Sequence, residues 1–142
     1  MQAELVTLSR QGGRAHNEDA LGHCSTGPYL ACVVADGAGG HGGGDVASAI
    51  ARQTVLQGFE AAPTLDAAVL RALAESANRN IVQRQAPGGQ LARMRSTLVL
   101  AVFDLEQDLM VWAHSGDSRA YLFRDRMIAA RTSDHSLVQQ MV

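Results

Sequence analysis

At 142 residues the chain has the length of one domain, and 46% hydrophobic against 18% charged residues is the balance of a globular chain rather than a disordered one. The formal charge of −2 comes without any basic block or stripe, so nothing supplies the counterion release that drives nucleic-acid binding. All 12 cationic residues are arginine, which excludes lysine Schiff-base chemistry and a P-loop built on Gly-Lys-Ser/Thr.

Residues 4–8 alternate weakly and predict a short strand, and residues 29–35 form a β-rich apolar run that stops at Asp36-Gly37, as a buried strand does. A loop, GAGGHGGG, occupies residues 37–44. Asp45 then stands where an N-cap would, ahead of a helix carrying Val46, Ala49, Ile50 and Val55 to about Phe59. After Pro63-Thr64, the residues Leu65, Val69, Leu73, Ala77 and Ile81 recur at i+4 steps and predict a second amphipathic helix. Pro87-Gly88-Gly89 ends it. Segments 97–103, 109–114 and 119–124 are β-like and, with turn residues between them, predict an antiparallel meander. From Asp134 the sequence turns helical, and its apolar Leu137, Val138, Met141 and Val142 need a surface to cover. The apolar runs are far shorter than the ~20 residues that span a bilayer, and the opening MQAELVTLSR has no basic-then-apolar signal pattern, so a cytoplasmic protein with no membrane contact is expected. Cys24 and Cys32 stand in no metal or disulfide spacing and are expected to be inert.

Acidic residues gather at element ends: Glu18 and Asp19 in GGRAHNEDA, Asp36 in VVADGAGGHGGG, and Asp117 in HSGDSRA. Carboxylates beside glycines suit a divalent cation such as magnesium or manganese, because they bring hard oxygen donors and let backbone carbonyls approach. Taken singly, Asp36 and Asp117 are also ordinary turn residues. The glycine loop matches GxGxxG at Gly37, Gly39 and Gly42, but a dinucleotide site is opposed by Asp36 directly before it and by helix following helix where a second strand belongs.

Five ordered segments, RAHNEDA, VVADGAGGHGGGDVAS, MRSTLVLAVFD, AHSGDSRAYLFR and RTSDHSLVQQMV, resemble successive motifs of the metal-dependent type 2C protein serine/threonine phosphatases, bacterial members in particular. The resemblance runs from about Thr7 to the last residue. It implies an α+β fold, a four-layer α/β/β/α sandwich with a binuclear Mg/Mn centre at one end that activates a water against phosphoserine or phosphothreonine on a protein substrate. A phosphorylated protein and an opposing kinase are the partners it implies. Carried over by position, Arg14 matches the arginine that grips the substrate phosphate. Glu18 and Asp19 match the acidic pair at the metals, Asp36 the bridging ligand, Gly37 a carbonyl ligand, and Asp117 the aspartate of a third, weaker metal position. Apart from that carry-over, a protonated His41 could assist the leaving oxygen as general acid, against the plain alternative of a solvated histidine in the glycine loop. Ser118 and Arg119 are expected to support the hairpin, and His16, His114 and His135 to be structural.

Two departures from the family pattern matter. Arg95 stands before Ser96-Thr97 where the family usually has glycine, which disturbs the backbone only if that position needs φ > 0. The family's two further metal aspartates, in a later Asp-Gly and Asp-Asn, have no counterpart in the sequence. The 142 residues are therefore expected to be the N-terminal portion of a longer catalytic domain. A catalytically silent phosphoprotein-binding module of the same fold is the alternative.

Overall fold

The computed structural model describes residues 2–39 and 43–135. Its centre is an antiparallel sheet in the order β1 (Asp19–Thr26), β2 (Tyr29–Ala38), β4 (Leu98–Asp104), β5 (Leu109–Ser115), with the short β3 (Arg95–Ser96) paired to the end of β2. Helices α1 (Gly44–Ala61) and α2 (Ala67–Arg84) lie in the β2-to-β3 connection and pack on one face of that sheet. The alternation of the strands decides which side chains meet them. Ala31, Val33 and Ala35 of β2 and Leu98, Leu100 and Val102 of β4 are buried against Ala47, Ala51, Val55 and Phe59 of α1 and Leu70, Ala77 and Ile81 of α2.

The residues between them in sequence project from the opposite face. By register, Leu30, Cys32 and Val34 stand beside Phe103, Ala101 and Val99 there, with Met110, Trp112 and His114 of β5 beyond. This face is apolar yet only partly covered, and Val34 remains 50% exposed. No described helix layers it. The sheet and its helices are thus half of the expected α/β/β/α arrangement, with an apolar surface where the second sheet belongs.

Several expectations are corrected. Residues 2–10 carry no regular structure, so the strand over residues 4–8 is absent: alternation confers nothing without a partner strand to bond its backbone. The third β segment does not continue the meander. Gly116, at φ 98, turns the chain out of the sheet, and β6 (Tyr121–Arg124) pairs instead with β7 (Met127–Arg131) as a separate ribbon. The turn between them places Asp125 and Arg126 at φ 50 and 64, a type I′ geometry whose usual Asn-Gly signal is missing from the sequence. Asp45 is not the cap of α1. Gly43, at φ 128, takes that position, and Asp45 sits in the first turn, where its Oδ1 accepts from the Gly43 N–H and its charge favours the positive helix end. Of the expected stripe on α2, Ala77 and Ile81 are buried and Leu65 and Leu73 pack against the same core; only Val69 departs, 37% exposed, with Leu70 buried in its place. A strict i+4 series drifts around the helix, and the 3.6-residue period brings position 70 inward instead of 69. α2 is capped by Asp66, whose side chain accepts from the Ala68 N–H. The helix expected from Asp134 onward lies, after His135, outside the described residues.

Candidate metal centre

Strand pairing assembles the site. Asp19, the first residue of β1, is directly opposite Asp36 near the end of β2, so both side chains leave the sheet on its open face. The connection is secured beneath them: the Gly37 N–H donates to the Glu18 carbonyl at 3.1 Å and the Ser48 hydroxyl of α1 donates to the same oxygen at 2.6 Å. Gly37 and Gly44 make this junction possible. A Cβ on Gly37 would run into the Gly44 carbonyl, and one on Gly44 would sit 2.6 Å from the Glu18 carboxyl carbon. The half-buried Glu18 carboxylate therefore rests over the start of α1, where exposed N–H groups favour an anion.

Two adjoining hollows flank Asp36. One of about 190 Å³ is lined by Arg10, Gln11, Arg14, His16, Asn17, Glu18, Asp19, Asp36 and Gly37. The other, of about 410 Å³, runs from Arg14, Asp36 and Gly37 to Arg95, Thr97, Gly116 and Asp117. Hollows of similar size elsewhere, between α1 and α2 and beside β1, have no carboxylate in their walls. The cleft raises the Asp36 pKa above the ordinary carboxylate range, first by withdrawing it from water and then through the negative charges of Asp19 and Asp117, with Arg14 opposing. Two carboxylates held side by side, with a third acting on Asp36, are the charge pattern that a divalent cation relieves, and oxygen is the donor that magnesium and manganese take.

Arg14, Glu18, Asp19, Asp36, Gly37 and Asp117 thus meet around one cleft, whereas His41 lies outside the described residues. Among the described residues no group of three acidic, histidine or cysteine side chains is gathered closely enough to hold a metal ion by itself. The cysteines are separate from the cleft: Cys24 faces the helices and Cys32 the opposite side of the sheet, and burial raises both thiol pKa values, which keeps them protonated and unreactive.

The loop carrying Asp117 is tied down on every side. Arg119 makes a two-pronged contact with Asp134, Nε–Oδ1 2.8 Å and Nη2–Oδ2 2.6 Å, and this partner lowers the Asp134 pKa. The His135 N–H donates to the Gly116 carbonyl, His114 Nε2 bonds the Ser133 carbonyl, and the His114 and His135 rings stack at 4.5 Å. Sequence reasoning missed Thr97. Its hydroxyl accepts from the Asp36 N–H at 3.0 Å and shares a 2.6 Å hydrogen bond with Ser118, while its own N–H donates to the Asp36 carbonyl at 2.8 Å. One side chain therefore links the strand bearing Asp36 to the loop bearing Asp117. Only its place beside Ser96 in a Ser-Thr pair at a strand start hinted at this.

Across the chain, residues 9–137 match the profile of protein phosphatase 2C. The chain belongs to the protein phosphatase 2C family. It is 35% identical over 150 residues to a Listeria monocytogenes protein named serine/threonine phosphatase stp, covering 100% of the chain and 58% of that relative. Identity to Mycobacterium tuberculosis serine/threonine protein phosphatase PstP is 34% over 130 residues, 91% of the chain and 24% of the relative. In structure it resembles Staphylococcus aureus serine/threonine phosphatase Stp1, with TM-score 0.79 and 29% identity over 99% of this chain and 59% of the other. The M. tuberculosis PstP/Ppp structure gives TM-score 0.72 at 32% identity, over 90% and 52%. The chain thus spans little more than half the length of the first of these relatives. The protein phosphatase 2C fold is thereby established for the part present, including the expected α+β layering.

Within this family member Thr97→Val should lower stability by about 1–2 kcal/mol, since it keeps the shape but leaves the Asp36 N–H and the Ser118 hydroxyl without their partner. Thr97→Ser, which retains the oxygen, should recover most of that loss. Chemical denaturation of both variants measures the difference, and equal stability of the two would remove the linking role of the hydroxyl.

Proposed function

We propose that the complete protein is a divalent-cation-dependent protein serine/threonine phosphatase acting in the cytoplasm on phosphoserine and phosphothreonine, opposite a serine/threonine kinase. In this reading the chain is the N-terminal portion of its single catalytic domain. The observation that carries it is the pairing of Asp19 with Asp36 on the open sheet face, with Arg14 and Asp117 lining the same cleft.

Asp19 and Asp36 would hold Mn²⁺ or Mg²⁺ as a pair of ions, with Glu18 and the Gly37 carbonyl in support and Asp117 serving a third, weaker position. Bound there, the cations supply a water activated near neutral pH and charge to offset the phosphoryl oxygens. Arg14 contributes a planar, permanently charged fork that matches two phosphate oxygens. Thr97 and the Arg119–Asp134 pair hold the carboxylate-bearing segments so that little reorganisation accompanies reaction. The partly covered apolar face, and the share of the relatives that the chain spans, support a second sheet and the remaining ligands coming from the rest of the domain.

Phosphate release from phosphoserine and phosphothreonine peptides tests this reading. Turnover by the complete protein is the expected result. Binding of the phosphopeptides without turnover would replace it with the silent module.

A further inference from the structure

The 410 Å³ hollow contains a cation that the reaction described above does not use. Arg95 of β3 is exposed and stands opposite Ala38, while Asp36 is two residues earlier on the same strand. Because side chains alternate, Arg95 leaves the sheet on the same face as Asp36, with the two backbones about 7–8 Å apart on the diagonal. It is extended rather than at positive φ, so its presence strains nothing. Among the described residues neither Arg95 nor Arg14 is in an ion pair. The two carboxylates and two guanidinia of this hollow balance in charge, and any divalent cation held by the carboxylates leaves it net positive.

We propose that Arg95 is a specificity-determining residue: it receives a second anionic group, one or two residues from the phosphoserine or phosphothreonine, and so selects substrates that are acidic or phosphorylated beside the reacting site. The inference rests on the phosphatase reading for its substrate. An extended peptide advances about 3.3–3.6 Å per residue, so a chain whose phosphate lies at Arg14 and Asp36 brings its next or next-but-one side chain to Arg95. The guanidinium fork suits carboxylate and phosphate alike. Arg14 and Arg95 divide the work: one meets the group that leaves as phosphate, the other a group that stays on the product.

The test uses the complete protein with Mn²⁺ and three phosphothreonine peptides, flanked by alanine, by glutamate, or by a second phosphoserine two residues away. kcat/KM is measured for each, and affinity is measured on non-hydrolysable phosphonate versions. The wild type should favour the anion-flanked peptides over the alanine-flanked one by about five- to tenfold, through KM and affinity, with the margin shrinking as salt is added. In Arg95→Gln that ratio should fall close to one, and Arg95→Lys should restore much of it. Preference for both anionic flanks assigns general anion recognition; preference for the doubly phosphorylated peptide alone assigns a second phosphate. The same ratio in wild type and Arg95→Gln would overturn the proposal, as would an equal loss on all three peptides, which would put Arg95 on the reacting phosphate. If nothing is hydrolysed but the phosphonates still bind with an Arg95-dependent preference, the phosphatase reading fails and anion selection stands. Hydrolysis with no preference fails the inference alone.

Discussion

Asp36→Asn in the complete protein should lower phosphate release by about a thousandfold or more, and should at the same time raise the melting temperature of the cation-free protein. The first effect follows from losing a charge that would face the cations, whose contribution is several kcal/mol, each 1.36 kcal/mol being tenfold in rate. The second follows from the repulsion already present. In the folded chain the Asp36 carboxyl is pushed above its ordinary range by the cleft, Asp19 and Asp117, so the folded state binds more protons than the unfolded one around that pKa. Its favourable contribution is therefore present at low pH and is lost as pH rises through the raised value. At neutral pH the ionised group works against folding. The amide removes that charge, and a small rise in melting temperature is expected without cations, limited by the solvent that screens this exposed group. With Mn²⁺ the order should reverse, because a ligand that binds only the folded wild type stabilises only the wild type. Thermal unfolding with and without Mn²⁺, run beside the assay, reads both effects. A cation-free asparagine variant less stable than wild type would contradict the electrostatic account.

Arg14→Ala should separate substrate from metal. The guanidinium meets phosphate in this account, and charge-assisted hydrogen bonds of about 1.5–3 kcal/mol correspond to a fall in kcat/KM of about ten- to a hundredfold. Calorimetric Mn²⁺ affinity should change by no more than about threefold, since Arg14 affects Asp36 only as a neighbouring charge. A loss of Mn²⁺ affinity as deep as that of Asp36→Asn would assign Arg14 to the metal shell instead.

Much of this site was legible in the sequence, and the reasons are local. The strand carrying Asp36 showed itself by an apolar run meeting a turn pair, although it does not stop at Asp36-Gly37 but runs on to Ala38, where the β3 backbone pairs with it, and the α2 helix by its period. What the sequence did not show is pairing over distance. Asp19 faces Asp36 only because β1 is a strand, and ALGHCS has too few β-branched or aromatic residues to announce one. Arg119 and Asp134 are 15 positions apart, and Thr97 reaches Ser118 across 21; such contacts are fixed by the fold, not by spacing. Arg95 is visible in the sequence as a departure from the family pattern, but only its backbone consequence is readable there. Its place on the carboxylate face depends on the register of a two-residue strand. The strand over residues 4–8 failed for the converse reason, since an alternating pattern names a candidate strand but not a partner.

The most direct measurement is a cation titration of phosphate release. The complete protein is stripped with chelator, given a phosphothreonine peptide, and titrated with free Mn²⁺, with Mg²⁺ in parallel. The account predicts no turnover in excess chelator, recovery as the cation is restored, and loss again when chelator is added back. Undiminished turnover in excess chelator would contradict it, since the carboxylates of Asp19 and Asp36 would then have no cation to hold.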